Sequence, residues 1–151
     1  MKYVYHSPIG YIYYVMKNKQ LVSMYISDHE EDGTDELNDV INKALDDYFH
    51  GKLLTFDIPI LFDHGTPFQK EVWQALLTIP YGKTNSYKEI AIKINRPRAV
   101  RAVGQACKKN PIGIIVPCHR VIGSDGSLTG YSGKNYINLK EKLLAHERRN
   151  I

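Results

Sequence analysis

Residues 110–123 read NPIGIIVPCHRVIG and carry the most informative chemical pattern in the chain. The apolar, β-branched run at 114–116 predicts a buried strand, Pro117 ends it, and Cys118 falls on the turn that follows. A histidine and an arginine come directly after the cysteine. A thiol beside an imidazole and a guanidinium has surroundings that lower a thiol pKa and favour the thiolate. The pattern therefore favours a nucleophilic Cys118, against the alternative of a small buried hydrophobic residue.

The composition is that of an ordinary soluble globular protein. The chain has 151 residues, of which 43% are hydrophobic and 24% charged, enough for one sizeable core or for a small domain packed on a larger one. No apolar run approaches the roughly 20 residues that span a bilayer, so we expect no membrane segment. The N-terminus lacks the apolar stretch of a signal peptide. Cys107 and Cys118 are therefore expected to be reduced thiols of a cytoplasmic protein.

Charge is divided unevenly between the two halves of the chain. Residues 1–64 hold five Lys/Arg and eleven Asp/Glu, a net charge of −6, whereas residues 65–151 hold fifteen and five, a net charge of +10. Such an asymmetry predicts a polyanionic partner for the second half only. A solvated basic face is the alternative, and charge alone does not separate the two.

The first half predicts a small sheet and one helix. Aromatic and β-branched residues indicate strands at 3–6, 10–16 and 20–26, separated by turn residues. A helix with apolar residues at helical spacing is expected from an N-cap at Thr34 to Gly51. A further strand is predicted at 54–60.

The second half contains two strong signals for the start of a helix. Thr66 and Gln69 form a capping box, with Pro67 at the first helical position. Ser86 and Glu89 form a second capping box and predict a short helix that ends before residues 95–97. A final amphipathic helix is expected near the C-terminus.

The helix predicted after residues 95–97 completes a helix-turn-helix, because the connection is so short. It runs from 98 to about 109 and combines small residues, which permit close backbone approach, with long cations that reach phosphates. The small residues are Ala99, Ala102, Gly104 and Ala106, and the cations are Arg98, Arg101, Lys108 and Lys109. Glycine inside a helix costs about 1 kcal/mol relative to alanine, so we expect a close contact at Gly104.

Several motifs follow one another in a recognisable order. They are GTPFQKEVW at 65–73, IPYG at 79–82, SYKEIA at 86–91, RAVG at 101–104, NP at 110–111, PCHRV at 117–121, GYSG at 130–133 and KEKLLAHE at 140–147. The set resembles the O6-alkylguanine-DNA alkyltransferases, which are also called methylated-DNA–protein-cysteine methyltransferases. The resemblance covers more than half of the chain.

The resemblance implies a mixed α/β (α+β) fold of two domains. Residues 1–64 would form a ribonuclease-H-like sheet and helix domain. Residues 65–151 would form a mostly helical, DNA-binding alkyltransferase domain with a winged-helix-like helix-turn-helix. It also implies a monomer without a cofactor. A structural zinc site is not expected, because no cysteine precedes Cys107.

The reaction implied by the resemblance is direct reversal of DNA damage. Cys118 would take a methyl or other alkyl group from O6-alkylguanine irreversibly, once per molecule, after the nucleotide is flipped out of the duplex. O4-alkylthymine stays open as a second substrate. In the same reading His119 withdraws the thiol proton through a water, Glu147 orients His119, and Tyr87 hydrogen-bonds or protonates guanine N3.

Double-stranded DNA is the implied partner, bound through its minor groove with little sequence specificity. Arg101 would fill the space of the flipped nucleotide, and the other expected DNA-binding residues are Arg98, Ala102, Gly104, Lys108 and Lys109. The substrate pocket would be formed by the carbonyls of Cys118 and Val121, the Ser132 amide and Tyr131, with Asn110 as a hinge. Arg120 is expected to be a structural ion-pair partner.

Three alternatives remain open from the residues themselves. Cys118 and His119 could serve a cysteine hydrolase, although side chains of adjacent residues rarely face each other. The helix-turn-helix could belong to a DNA-binding regulator without chemistry. Cys107, Cys118 and His119 could hold a metal, although their spacing matches no recognised site.

Overall fold

A computed structural model describes residues 2–34, 38–126 and 134–150, with only the backbone of Asp39 and of residues 134–138. The expected mixed α/β architecture is confirmed, with a sheet followed by a mostly helical region. The chain divides into two compact units. The first unit is Met1–Asp63 with Pro111–Gly113, and the second unit is His64–Asn110 with Ile114–Ile151.

The aromatic-rich N-terminal segments form a three-stranded antiparallel sheet in the order β1-β2-β3. The strands are β1 (Lys2–Ser7), β2 (Gly10–Lys17) and β3 (Gln20–Ser27), in agreement with prediction. Lys17 pairs with Gln20, so the β2–β3 turn has two residues, Asn18 and Lys19, both with positive φ. This is the turn geometry that fits the twist of a hairpin.

Helix α1 (Asp39–Phe49) begins later than predicted. Its N-cap is Asn38, whose side chain accepts a hydrogen bond from the Ile41 amide, so the predicted cap at Thr34 is wrong. The Thr34 amide donates to the Lys2 carbonyl at 2.8 Å, and the Thr34 carbonyl accepts from the Val4 amide at 3.1 Å. Thr34 therefore pairs with β1 through an isolated parallel bridge to Tyr3 and does not cap α1.

The strand predicted at 54–60 is wrong except at its last residue. Ile60 forms an isolated parallel bridge with Leu21, supported by hydrogen bonds from the Leu21 amide to the Pro59 carbonyl and from the Leu61 amide to the Leu21 carbonyl. Proline has no amide hydrogen to continue a ladder. The segment therefore touches the edge of β3 at one point only.

The second unit holds four helices and a small parallel ladder within its described residues. The helices are α2 (Pro67–Leu76), α3 (Tyr87–Lys93), α4 (Val100–Lys108) and α5 (Lys134–Arg149), and the ladder pairs β4 (Asn85–Ser86) with β5 (Val121–Ile122). Both predicted capping boxes are present, at Thr66 with Gln69 and at Ser86 with Glu89. No helix in the described ranges is long and apolar enough to cross a membrane.

Helices α3 and α4 pack as the predicted helix-turn-helix. Helix α4 begins at Val100, two residues after the predicted start, because the Ala99 amide bonds to the Arg96 carbonyl in a turn. Arg96 holds this turn against α2 through a 3.0 Å ion pair with Glu71. The Trp73 indole of α2 donates to the Ala106 carbonyl of α4 at 2.9 Å.

Residues 114–116 are buried as predicted, but they form turns and no strand. The reason lies just upstream. The Pro111 carbonyl and the Gly113 amide bond to the backbone of Met24 in β3, so the strand-like pairing of this segment centres on Ile112. Ile114 then adopts a φ of 71°, which turns the chain.

Gly65 provides a stability test of the packing around Trp73. Its φ is 111°, and a Cβ built there would lie 2.7 Å from the Trp73 ring. Gly126 also has a positive φ, of 86°, but a Cβ there meets no atom of the described residues within 4 Å. We expect Gly65→Ala to lower the free energy of unfolding by about 1–3 kcal/mol more than Gly126→Ala. Urea unfolding followed by Trp73 fluorescence measures the difference, and equal losses would contradict the contact.

Candidate active site

The backbone around Cys118 is fixed by three local hydrogen bonds. Cys118–Arg120 form a short 3-10 helix that leads into β5. The Cys118 amide donates to the Val116 carbonyl at 2.8 Å, and the Arg120 amide donates to the Pro117 carbonyl at 3.0 Å. The Asn110 side chain also donates to the Val116 carbonyl, at 2.8 Å. Cys118 is 8% exposed, so its thiol lies in a buried and well-defined place.

The imidazole of His119 is buried against Glu147 of α5. Its Nε2 lies 2.6 Å from Glu147 Oε2, and the two residues are 1% and 0% exposed. Nδ1 has no hydrogen-bond partner among the described residues. A carboxylate accepts hydrogen bonds only, so the network assigns the proton to Nε2 and leaves a lone pair on Nδ1. Burial lowers the pKa of His119 despite the attraction of Glu147, so the ring is neutral and can accept a proton.

Glu147 receives donors from two parts of the second unit, the 3-10 helix and the turn that follows α2. Arg120 binds it with two nitrogens, Nε to Oε1 at 2.8 Å and Nη2 to Oε2 at 3.0 Å, and the Gly82 amide donates to Oε1 at 3.2 Å. Arg120 Nη1 also donates to the Ile79 carbonyl at 2.8 Å. Burial alone would raise the pKa of Glu147, but the hydrogen bonds from His119 and Arg120 and the charge of Arg120 together lower it well below its ordinary value. Arg120 therefore holds an ionised Glu147 in place.

Tyr87, the first residue of α3, lies near Cys118. It is 7% exposed, and burial raises its pKa, with smaller contributions from the nearby Cys107 and Cys118. The ammonium of Lys140 donates to the Tyr87 hydroxyl at 3.3 Å and to the Val121 carbonyl. The structure thus places Tyr87 near Cys118, and it pairs His119, the residue after Cys118, with Glu147.

Lys140 is the member of this site that sequence reasoning missed. It is 1% exposed, and burial lowers its pKa to about 8. Its position in α5 carries a detectable signal, because Lys140, Leu143, Leu144 and Glu147 follow the i, i+3, i+4, i+7 spacing of one helix face. All four are buried. A lysine on the same helix face as two leucines and a candidate catalytic glutamate can therefore be recognised from the sequence as a buried cation.

The second cysteine, Cys107, lies in surroundings that keep its thiol protonated. Cys107 lies on α4 and is 1% exposed. Burial, followed by the proximity of Cys118, raises the pKa of its thiol strongly. Both cysteines are thiols and form no disulfide. Within the described ranges, no group of three or more His, Cys, Asp or Glu side chains could hold a metal ion.

The cations predicted to meet DNA lie on one exposed stretch at and around α4. The basic face is defined here as five exposed residues of this stretch: Arg98, Arg101, Ala102, Lys108 and Lys109. Gly104 is only partly exposed, and a Cβ there would lie 3.9 Å from the Tyr87 ring. That is an ordinary contact, so tight packing within the protein does not account for the glycine. The predicted pocket residues Tyr131 and Ser132 lie outside the described residues.

Comparison with known proteins gives one consistent family. The profile described as "6-O-methylguanine DNA methyltransferase, DNA binding domain" matches residues 67–149. A constitutive methylated-DNA–protein-cysteine methyltransferase of Bacillus subtilis is 41% identical over 155 residues, which cover 94% of this chain and 92% of the relative. The methyltransferase of the same name from Methanosarcina barkeri is 57% identical over 109 residues, covering 72% of this chain and 67% of the relative.

Solved structures agree with these relatives. The crystal structure of Mycobacterium tuberculosis OGT in complex with DNA superposes with a TM-score of 0.88 at 43% identity, covering 99% of this chain and 93% of that one. The crystal structure of Mycobacterium tuberculosis O6-methylguanine methyltransferase has a TM-score of 0.89 at 41% identity over the same shares. A profile that matches more than half of the chain, and relatives that span nearly all of it, show that the protein belongs to the methylated-DNA–protein-cysteine methyltransferase family.

Proposed function

We propose that this protein repairs alkylated DNA by direct reversal, with Cys118 as the acceptor of the alkyl group from guanine O6. The observation that carries the proposal is the buried Cys118 turn beside a neutral His119 whose Nε2 is bound to ionised Glu147. A thiolate is a soft nucleophile suited to attack at an sp³ carbon. O4-alkylthymine is a second substrate class for the same chemistry.

The proposed reaction begins with the proton of the thiol. His119 Nδ1 accepts it through one water, and the Glu147 carboxylate stabilises the imidazolium that forms, following the logic of a catalytic triad. The sulfur then forms a bond to the alkyl carbon while the carbon–O6 bond breaks, and its electron pair moves into the guanine ring. Tyr87 gives a hydrogen bond or proton to guanine N3, which lowers the energy of the leaving group.

DNA binding is proposed on the basic face, where Arg98, Lys108 and Lys109 contact phosphates through the minor-groove side. A base within the duplex is inaccessible to Cys118, so the nucleotide is flipped out and Arg101 takes its place. The small Ala102 and Gly104 admit the backbone of the DNA. Sequence preference is weak because the minor groove carries little base information. The protein acts as a monomer in the cytoplasm.

Tyr131 and Ser132 are proposed for the pocket from their motif, and Val121 is proposed from its motif and its contact with Lys140. The Ser132 amide donates to O6, and Tyr131 forms part of the wall. The Val121 carbonyl accepts from the exocyclic amine with the lone pair that is left beside its bond from Lys140. Asn110 serves as the hinge that joins the helix-turn-helix to the Cys118 turn.

The central test is the stoichiometry of transfer. With excess duplex DNA containing O6-methylguanine, we expect one methyl group per chain, because the thioether product has no carbonyl that water could attack. Intact mass and peptide mapping should place the methyl group on Cys118. Cys107→Ala should retain full transfer, whereas Cys118→Ala should retain none. Repeated turnover, or methylation of Cys107 with Cys118 unmodified, would rule out the proposal.

Arg101→Ala tests the flipping role. We expect it to slow transfer from methylated duplex DNA about tenfold or more, equivalent to roughly 1.4 kcal/mol, while transfer from the free O6-alkylguanine base stays unchanged. A free base needs no extrusion. Arg148→Ala, an exposed arginine near the end of α5, is the matched control. Single-turnover rates on the two substrates give the answer, and equal losses on both would contradict this role.

Glu147→Gln tests the buried ion pair and its effect on Cys118. The substitution leaves the Arg120 charge buried without its carboxylate, so we expect a loss of about 3–5 kcal/mol in unfolding free energy. It should also slow iodoacetamide alkylation of Cys118, because His119 loses the charge that stabilises its protonated form. Glu141→Gln, exposed on the same helix, should change stability by less than about 0.5 kcal/mol. Denaturant unfolding and thiol alkylation rates measure both effects, and a stable, fully reactive Glu147→Gln protein would refute them.

A further inference from the structure

We propose that Glu71 is an internal competitor of DNA, which occupies the guanidinium of Arg96 and so weakens the binding of undamaged duplex. When DNA binds, Arg96 exchanges Glu71 for a backbone phosphate in a hollow that it shares with Arg98. The inference rests on the DNA binding of the proposed function. It adds a binding residue outside the basic face and an acidic residue that favours release.

Arg96 and Arg98 line one open hollow in the turn between α3 and α4. The hollow has a volume of about 520 Å³, and Pro97 and Ala99 complete its lining. Both of these side chains are short, so the space between the two arginines is left open. Two guanidinium groups at an open hollow suit an anion with several oxygens, and on DNA that anion is the backbone phosphate.

The guanidinium of Arg96 is held by two residues of α2. Its Nε and Nη2 both donate to one oxygen of Glu71, Oε2, at 3.3 and 3.0 Å. Its central carbon lies 5.8 Å from the centre of the Phe68 ring, within range of a cation–π contact. Phe68 and Glu71 are three positions apart on the helix, so they lie on one face. Glu71 thus offers Arg96 the negative charge that a phosphate would offer on DNA.

The ion pair is weak enough to be exchanged. Both side chains are about half exposed, Arg96 at 52% and Glu71 at 47%, and exposed ion pairs contribute little because water and salt screen them. The geometry is also incomplete, since two nitrogens share a single carboxylate oxygen. A phosphate presents two oxygens to the planar guanidinium and allows two parallel hydrogen bonds. A phosphate of the duplex can therefore displace Glu71, at a cost that lowers the net gain from binding.

The shape of the turn does not depend on this ion pair. The Arg96 amide donates to the Ala91 carbonyl at 2.8 Å, and the Arg96 carbonyl accepts from the Ala99 amide at 2.9 Å. Helices α2 and α4 are joined separately, by the buried hydrogen bond from Trp73 to the Ala106 carbonyl. Backbone and core hydrogen bonds therefore keep the turn in place when the ion pair opens.

Glu71 is an acidic residue in basic surroundings, because residues 65–110 hold nine Lys/Arg and two Asp/Glu. The other acidic residue, Glu89, belongs to a capping box, where its carboxylate accepts from the Ser86 amide at 3.0 Å. Glu71 instead binds an arginine outside its own helix, at the hollow. A repair protein has to leave the undamaged sites that far outnumber the damaged ones. A carboxylate that competes with phosphate shortens each stay on such sites.

The central test measures binding to unmodified duplex DNA by fluorescence anisotropy of a labelled oligonucleotide. Glu71→Gln keeps the size of the side chain and removes its charge. We expect it to bind about three- to tenfold more tightly at about 0.1 M salt, because Arg96 gains a phosphate contact. The plot of log K against log salt should become steeper by about 0.5–0.9, toward the value for one extra phosphate. Glu141→Gln, an equal change of charge at an exposed position of α5, is the matched control and should change affinity less than about twofold.

A double-mutant cycle separates a new contact from a change in net charge. In an Arg96→Met background, Glu71→Gln should tighten binding less than about twofold, because no guanidinium is left to reach the phosphate. A pure effect of net charge would give the same gain in both backgrounds. Arg96→Lys keeps the charge but lacks the planar guanidinium, so we expect an intermediate gain in that background. Urea unfolding of each variant establishes that it is folded.

The effect on repair is measured in the presence of undamaged DNA. For each protein, methyl transfer from a duplex containing O6-methylguanine is compared with and without about a 100-fold excess of unmodified duplex. The excess should slow Glu71→Gln about three- to tenfold more than it slows the wild-type protein. Longer stays on undamaged DNA leave less protein free to search.

Each outcome decides for or against the competition. Unchanged or weaker binding by Glu71→Gln, an unchanged salt dependence, or an equal gain in the Arg96→Met background overturns it. Equal slowing of Glu71→Gln and the wild-type protein by unmodified duplex also overturns it. These results leave the proposed function intact as long as the wild-type protein binds duplex and accepts a methyl group. A wild-type protein that does neither overturns the proposed function itself.

Discussion

The carboxylate of Glu147 is the point on which the organisation of the second unit depends. Buried completely, it is bound by His119, twice by Arg120 and by the Gly82 amide. One side chain thus joins α5, the 3-10 helix and the turn that follows α2. A buried carboxylate without such donors would be strongly unfavourable. The same bonds that make its burial tolerable also fix the orientation of the imidazole, so stability and the geometry of the site come from one arrangement.

Differences in burial and bonding give each ionisable group of the site a distinct state. Glu147 is kept charged by its donors, His119 is kept neutral by burial, and the pKa values of Cys107 and Tyr87 are raised so that both keep their protons. Burial lowers the pKa of Lys140 to about 8, so this side chain is close to the pH at which it loses its proton. The two thiols of the chain differ in what lies beside them. Only Cys118 directly precedes the histidine that pairs with Glu147.

Prediction from sequence succeeded where the deciding interaction is local. Both capping boxes depend on residues three positions apart, and the strands of the hairpins on short-range alternation with turn residues. It failed where a segment bonds to a distant part of the chain. Thr34 was expected to cap a helix but bonds to β1, and the strand expected at 114–116 is displaced because Ile112 pairs with Met24 of β3. Periodicity carries no information about such distant partners.

The motifs predicted the residues of the candidate site other than Lys140, and their roles stay predictions. A lysine is exposed in most proteins unless it is paired, so its default interpretation is a solvated side chain. Its spacing from Leu143, Leu144 and Glu147 indicates a buried side chain instead, because residues on one apolar helix face are buried together. The assignment of Tyr131 and Ser132 to the pocket rests on the sequence motif alone.

The complete burial of the Glu147 cluster separates two kinds of electrostatics in one protein. Mobile ions screen exposed charges over about 10 Å at 0.1 M ionic strength, but they act much less on buried pairs. The basic face around α4 is exposed to those ions, whereas His119 and Glu147 are shielded from them. Ionic strength can therefore tune how long the protein stays on a polyanion without altering the intrinsic reactivity of its thiol. In a cell whose salt content fluctuates, the search for damage would vary while the chemistry stayed constant.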